Sequence, residues 1–400
     1  MLLYTIIQTV LLCLLGLATL YILVFSIASL FYKQKIYADN GNLKKIAVLV
    51  PGYKEDGVII EVATLALQQE YPANLYDVVI IADSFQEETI AALKSLPIKV
   101  IEVSFEKSTK SKALNKAMAA LDRDYDIAVV LDADNVMAKD FLKKINAAFE
   151  YDFIAVQGHR TAKNTNNSWA ILDAISEEIN NNIFRKGHRV LGLSSAIIGS
   201  GMAFRYNYFK TLMSTVTAVG GFDKEIELKM LKEGRKIVYL DDAVVYDEKI
   251  QKSEVFGNQR RRWLSAQIHY FKKDILTATK HLVLKGNVDY FDKAIQFIQP
   301  PRILLLGAVI LCSGAFILIN YFVGNQSSLT SYWILLVVAC VMSFVFSVPR
   351  SFYNLKTVNA LARLPKGMFM MLLSLLKIKG ANKTFIHTQH TSTSKEINSK

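Results

Sequence analysis

The sequence predicts an α/β domain on a mainly parallel sheet, carried by apolar membrane helices at both ends. Three observations predict it. Short apolar strands alternate with helical segments between Lys45 and Asp132, which argues for a parallel sheet covered on both faces. No charged residue occurs from Met1 to Tyr32, a stretch long enough to cross a bilayer. A second uncharged stretch runs from Ile303 to Pro349 and breaks at Gly324-Asn325-Gln326-Ser327-Ser328. It reads as two spans, at 303–323 and 331–349, joined by a short turn.

The N-terminal segment, 1–32, is expected to be a retained anchor. A cleaved signal peptide would want a basic start and a small-residue cleavage site, and the chain opens Met-Leu-Leu-Tyr. Basic residues then set the orientation. Lys33 and Lys35 follow the first span, Arg302 precedes the second, and Arg350 and Lys356 follow the third. The positive-inside rule therefore places residues 33–302 and the C-terminal tail in the cytosol.

Within 33–286, Lys45–Pro51 reads as a buried strand ending in a turn, followed by a helix near 57–69. Asp77–Asp83 is a second apolar strand, ending in a carboxylate. A helix near 87–95, a strand at Ile98–Val103 and a helix near 111–121 lead to the strand Asp126–Asp132. In such sheets ligands gather at the carboxyl ends of the strands, where Asp83 and Asp132 stand. Trp169–Phe184 has helical spacing, and Ile197–Arg205 reads as a glycine turn feeding a strand. A helix at 223–233 and the strand Lys236–Leu240 close the pattern. No G-x-G-x-x-G opens a helix after the first strand, so this is not a dinucleotide fingerprint.

The segment 287–302 is amphipathic, with Tyr290, Phe291, Ile295, Phe297 and Ile298, and ends at Pro300-Pro301. It is expected to lie in the membrane surface. Residues 366–378 are expected to do the same within the cytosolic segment 350–400. The tail from His387, rich in Thr, Ser and Lys, reads as disordered.

The net charge is +12. Its basic residues are spread along the chain and flank the membrane segments, so anionic lipids are the expected partner and nucleic acid is not. Cys13, Cys312 and Cys340 all lie in apolar spans, which suits packed or lipid-facing side chains and neither a disulfide nor a metal site.

Two clusters carry chemistry. Asp132-Ala133-Asp134 follows an apolar strand, and carboxylates so placed can hold a divalent metal that bridges phosphates. Gln259-Arg260-Arg261-Arg262-Trp263 sets guanidinium groups beside an indole. Arginines hold phosphate bidentately, and the ring offers a flat apolar face. Together they suggest a metal-bound nucleotide diphosphate beside a sugar ring. Asp83 could accept hydrogen bonds from a base or ribose, or serve as a helix cap. Lys110 and Lys112 could neutralise phosphate or open a helix. Asp223, Glu225 and Glu227 suit the helix dipole of a first turn, and one of them could act as a general base.

These segments resemble, in order, the motifs of a membrane-anchored family 2 glycosyltransferase, the group of the cellulose, hyaluronan and chitin synthases and the ceramide glucosyltransferases. Pro51-Gly52-Tyr53-Lys54-Glu55 resembles its opening motif, and Ile81-Ala82-Asp83-Ser84 its nucleotide-binding aspartate. Lys110-Ser111-Lys112-Ala113-Leu114-Asn115 resembles K-x-x-A-L-N, Asp132-Ala133-Asp134 the D-x-D, and Gln259–Trp263 the Q-x-x-R-W. The resemblance covers about 45–265. It implies a GT-A (Rossmann-like) fold with a mixed, mainly parallel sheet, and inverting transfer from a nucleotide diphosphate sugar, with uridine diphosphate the common carrier.

By that resemblance Pro51, Tyr53, Glu55, Asp83, Lys112 and Asp132 serve the donor. Asp132 and Asp134 hold Mg2+ or Mn2+, Arg262 stabilises the departing diphosphate, and Gln259 and Trp263 border the acceptor. The family's base, an aspartate three residues before a leucine, falls on Glu225 here, counted from Leu228. Asp223 and Glu227 are the neighbours that could replace it. The implied product is a glycan or glycolipid, made at the cytosolic face of a bacterial plasma membrane, with an oligomeric or export partner possible. The competing readings are single-sugar transfer to a lipid and a non-catalytic membrane scaffold that keeps the fold.

Overall fold

The computed structural model describes residues 2–249, 253–322 and 329–376. The turn expected at 324–328 and the tail from His387 lie outside those residues.

Helix α1 (Leu2–Ser29) precedes the sheet domain. Its first half alternates as the sequence suggests, through β1 (Ile46–Tyr53), α2 (Ile59–Ala66), β2 (Tyr76–Asp83), α3 (Glu87–Lys94), β3 (Lys99–Val103), α4 (Lys110–Ala120) and β4 (Ile127–Val130). The second half holds β5 (Val136–Met137), α5 (Phe141–Phe149), β6 (Ala155–Ala162), α6 (Ser168–Asn181), α7 (His188–Val190), β7 (Met202–Arg205), α8 (Tyr206–Ser214), α9 (Phe222–Lys232) and β8 (Ile237–Asp247). A single turn of π-helix, Asn182–Gly187, joins α6 to α7. Then come α10 (Ser253–Lys285), α11 (Val288–Ile298), α12 (Arg302–Phe322), α13 (Leu329–Ser347), α14 (Leu355–Leu361) and α15 (Leu364–Leu376).

The strands form one sheet in the order β3-β2-β1-β4-β7-β6-β8-β5. The pairs β1–β2, β1–β4, β2–β3 and β6–β8 are parallel, and β7 runs antiparallel to β4 and β6. Period-two alternation builds the two faces. Ile46, Val48 and Val50 join one core with Ile59 of α2 and Phe141 of α5, while Ala47 and Leu49 join the other with Leu114 of α4 and Phe209 of α8. All five of these β1 side chains have no exposed surface. Each large one contributes roughly 1.5–3 kcal/mol by burial. A one-residue slip would exchange the faces, so the register is strongly specified and the strand ends are fixed.

The elements β5, α5, β6 and α8 were not anticipated, and β8 runs well past the expected Leu240. In β6 the sequence Gln157-Gly158-His159-Arg160-Thr161 reads as polar. Its polar groups meet carboxylates of α6 and β8 instead of water, which hides the strand from a hydrophobicity pattern.

The helices α1, α12 and α13 are long and apolar enough to cross a membrane. Ile22, Leu305, Val309, Trp333, Leu336 and Cys340 fill the space between them, together with Ile175, Ile179 and Ile183 of the sheet domain. Polar contacts also tie the bundle. The Tyr4 hydroxyl donates to Asn320 Oδ1 at 2.7 Å, and Ser347 Oγ donates to Ser26 Oγ at 2.7 Å. Such hydrogen bonds hold helices together where lipid offers no hydrophobic drive. The three cysteines are free. Gly187 abuts α1 so closely that a Cβ there would overlap the Phe25 carbonyl.

The amphipathic segment expected on the membrane surface packs its apolar side on the domain. Tyr290, Ala294 and Phe297 of α11 lie against Leu228 and Leu231 of α9 and Ala266 and Tyr270 of α10, while Val288 and Ile298 stay about half exposed. A buried ion pair, Lys293 Nζ to Glu227 Oε1 at 2.7 Å, adds to this junction.

Candidate active site

The carboxyl ends of β1, β2 and β4 converge on one edge of the sheet. Tyr53 pairs in register with Asp83 across β1 and β2. Asp83 is buried there, receives the Ser84 hydroxyl at 3.0 Å, and its carbonyl accepts the Lys54 amide at 3.1 Å. Lys54 and Ser84 both have positive φ, at 55° and 59°. Backbone held in the left-handed region by non-glycine residues marks a segment whose surroundings over-determine it, a frequent property of functional sites. Pro51 lies in β1 just before this turn, and Glu55 is buried in the loop after it.

The acidic triplet sits over the same strand end. A Cβ on Gly52 would meet the Phe85 ring at 2.6 Å and reach ordinary contact with Ala133 Cβ at 3.5 Å, so the Phe85 ring rests on the bare Gly52 backbone, next to the triplet. Asp134 is buried, and the Asp132 amide donates to Ser200 Oγ at 2.9 Å. Ser200 Oγ in turn donates to Asn135 Oδ1, and Asn135 Nδ2 to Asp247 Oδ1 at 2.9 Å. This chain pins the triplet to β8.

Two cations lie within 4 Å of Asp132, and a third acts on its charge. Lys110 Nζ lies 2.5 Å from its Oδ1 and donates to the Gly199 carbonyl at 2.7 Å. Arg160 Nη1 stands 3.8 Å from Oδ2. Arg262 senses the same carboxylate. Burial pulls the Arg262 guanidinium below its usual range, and Asp132 acts in the opposite direction. Lys112 is placed differently from the expectation. Its ammonium donates to the Lys107 carbonyl at 2.9 Å, whereas its backbone amide is capped by Thr109. Residues 110 and 112 are two apart on a helix and cannot share a face, so one lysine reaches the strand ends and the other reaches solvent.

Behind Asp132 lies a buried ionic network that the sequence did not reveal. Arg160 holds Glu177 through two bonds, at 3.1 and 2.9 Å, and Lys249 holds Glu177 at 2.7 Å and Asp247 at 2.6 Å. Burial opposes the charge on Glu177, yet Arg160 and Lys249 hold its carboxyl well below the usual range. Only the two charged residues in the segment Arg160–Lys163 and the Glu177-Glu178 pair hinted at it.

The acidic residues of α9 separate. Asp223 lies beside Gly199, where a Cβ would come within 3.7 Å of the Asp223 Cβ, and Gly199 carries the carbonyl that holds Lys110. Glu225 is turned away toward Lys229, 2.9 Å from its Oε1, and toward Tyr270. Glu227 is committed to Lys293. On α10, Arg260 stacks on Trp263 at 4.5 Å and donates to Asp173 at 2.7 Å. The Gln259 Oε1 atom is buried with no hydrogen-bond partner among the described residues, the kind of acceptor that a ligand hydroxyl satisfies.

The arrangement can neutralise a diphosphate at the strand ends and place a carboxylate opposite it. The family model for glycosyltransferases like family 2 matches residues 44–266, which takes in the strand ends, the acidic triplet, α9 and the Gln259–Trp263 run.

The chain belongs to glycosyltransferase family 2.

This glycosyltransferase is 24% identical over 238 residues to the beta-monoglucosyldiacylglycerol synthase of Trichormus variabilis, covering 56% of this chain and 49% of that protein. It is also 24% identical over 240 residues to the N-acetylglucosaminyltransferase of Rhizobium meliloti, covering 55% of each chain. The transferase thus spans about half the length of the curated relatives it matches. Among solved structures, the mannosyltransferase of Pyrobaculum calidifontis in complex with GDP-Man and Mn2+ has a TM-score of 0.52 at 19% identity, covering 85% of this chain and 97% of that one. The fold is therefore GT-A, with a mixed and mostly parallel sheet.

No group of three or more His, Cys, Asp or Glu side chains fit to hold an ion occurs among the described residues. Asp132 and Asp134 offer hard oxygen donors. That fits a divalent cation held by one or two carboxylates and completed by a ligand's phosphates, the usual habit of Mg2+.

Proposed function

We propose that the protein transfers a sugar, with inversion, from a nucleotide diphosphate sugar to a lipid or glycan acceptor at the cytosolic face of a bacterial plasma membrane. The observation that carries this reading is the convergence of Lys110, Arg160 and Arg262 on Asp132, with Asp223 across Gly199. It supplies positive charge for a leaving diphosphate and a carboxylate for an incoming hydroxyl in one place.

In the mechanism, Asp83 orients the nucleoside, with Pro51, Tyr53 and Glu55 shaping the same strand end. Asp134, with Asp132, would hold a divalent Mg2+ or Mn2+, which when bound adds positive charge at the diphosphate. Asp223 takes the proton of the acceptor hydroxyl as its oxygen bonds to the sugar's anomeric carbon. The bond from that carbon to the diphosphate breaks on the opposite face, and the configuration inverts. Arg262 and Lys110 neutralise the charge that develops on the departing nucleotide diphosphate, an electrostatic contribution that costs no reorganisation. Gln259 and Trp263 border the acceptor. Asp223 takes the role that the motif count gives to Glu225, because it lies beside Gly199 and is held only loosely by Lys224, at 3.5 Å, whereas Lys229 holds Glu225 at 2.9 Å.

A lipid acceptor carrying a single transferred sugar is the favoured form of this reading. Support comes from the side chains of Leu305, Val309, Trp333 and Leu336, which fill the interior between the three spanning helices. The test is release of nucleotide diphosphate by the full chain in nanodiscs, with a panel of UDP- and GDP-sugars, Mg2+ or Mn2+, and diacylglycerol. Turnover with one donor, abolished in Asp134→Asn, is expected. Donor binding with no transfer to any lipid or glycan would favour the scaffold reading.

A further inference from the structure

Away from the strand ends, α8 and the last turns of α9 and α10 enclose a cleft of about 490 Å³. That volume suits a small molecule or a lipid headgroup. Lys229, Lys232, Lys285 and His281 line it, against one carboxylate, Glu233. Glu233 is already engaged, since the Tyr208 hydroxyl donates to its Oε2 at 2.8 Å. Desolvation, followed by the charges of Lys285, Lys232 and Lys280, disfavours a proton on His281. The cleft thus sets three ammoniums against Glu233 and the Glu225 that pairs with Lys229, an excess of positive charge, and Nδ1 of His281 has no partner among the described residues.

Lys229 connects this cleft to the first turn of α9. Its ammonium donates to the Thr215 carbonyl at 2.5 Å and to Thr215 Oγ1 at 3.0 Å, and it pairs with Glu225 at 2.9 Å. An anion in the cleft competes with Glu225 for that ammonium. Lysine ammoniums bind phosphate as point charges, and several of them around one cleft favour a dianion over a single carboxylate.

We propose that this cleft binds a phosphate-bearing ligand, either a soluble phosphorylated molecule or an anionic lipid headgroup, and that its occupancy is transmitted to Glu225 through Lys229. The site is separate from the donor end, which has its own phosphate-neutralising groups in Lys110 and Arg262.

The probe is inorganic phosphate, titrated into the full chain in phosphatidylcholine nanodiscs and followed by 31P line broadening. In Lys232→Gln/Lys285→Gln, whose side chains are both exposed, the affinity is expected to fall on the order of tenfold, about 1.4 kcal/mol. It is expected to persist in Lys110→Met/Arg262→Gln. Unchanged affinity in the first variant, or loss only in the second, overturns the proposal. Repeating the titration with phosphatidylglycerol in the nanodisc distinguishes the sources. Suppressed phosphate binding assigns a headgroup, and unaltered binding assigns a soluble ligand. Hydrogen exchange at residues 222–226 should change with phosphate in the wild type and not in the cleft variant, and an identical response in both removes the coupling to Glu225.

Discussion

Lys110 and Asp132 form an ion pair at 2.5 Å, between the start of one helix and the end of one strand. The pair fixes the acidic triplet before any ligand arrives, and it places a cation where a diphosphate would sit. Lys110→Met should lower kcat/KM by about 10- to 100-fold. Lys112→Met should change it less than about twofold, because that ammonium faces the Lys107 carbonyl. Equal losses in the two variants, measured as nucleotide diphosphate release, would refute the assignment.

The base can be identified by isosteric replacement. Asp223→Asn should lower kcat by about 100- to 10,000-fold with donor affinity retained. Glu225→Gln should cost less than about tenfold, since it weakens a hydrogen-bonded pair with Lys229 and removes no reacting group. The reverse ranking would return the role to Glu225.

His159 makes stability depend on alkaline pH. Burial opposes its charge, but Asp241 at 3.2 Å and Glu178 at 3.3 Å overcome this and raise its pKa from 6.5 to about 9. A raised pKa contributes stability that is complete below about pH 6.5 and is lost as the pH climbs through about 9. Thermal unfolding in detergent should therefore show a loss on the order of 1–3 kcal/mol across that window. The slope should flatten in His159→Gln. A wild-type profile that is flat from pH 6.5 to 9 would contradict the ion-paired state.

The same cluster has an acid limb. Burial raises the Asp241 carboxyl, but His159 and Lys186 outweigh this and lower it to about 2. Its depressed pKa contributes stability above the ordinary range near 4 and loses it as pH falls toward 2. Asp241→Asn should unfold with a shallower acid dependence than wild type.

Gly187 is where the sheet domain meets α1. Gly187→Ala places a methyl against the Phe25 backbone carbonyl, which has no rotamer to yield. Overpacking of this kind costs about 1–3 kcal/mol. A lower melting temperature is expected, with faster proteolysis between α1 and β1. Unaltered melting would show that α1 is free to shift.

Several of these features were visible in the residues alone. The strands at 46–53, 76–83 and 127–130 are built on the apolar runs 46–50, 78–82 and 127–130, buried on both faces, and such runs announce themselves. The three spans are equally plain, because a bilayer demands an uncharged stretch of fixed length. Asp83 and Asp132 could be singled out because both stand at the carboxyl ends of strands, and Arg262 because it lies in an arginine cluster beside an indole.

What the sequence could not decide is which neighbour of a pair faces inward. Lys110 and Lys112 are the same residue two positions apart, and Asp223 and Glu225 are both acids in one helical turn. The first choice depends on a partner from another element, Asp132 for Lys110, whereas Glu225 is held by Lys229 one turn further along its own helix. Strand β6 was hidden for a related reason, since its charges are satisfied by Glu177, Glu178 and Asp241 rather than by water. Composition and periodicity by themselves determined a sheet domain on membrane helices, because burial of apolar surface acts along short stretches of chain. The pairing of charges was decided only by the tertiary structure, because a buried ion is stable only when its counter-ion is brought to it from elsewhere in the fold.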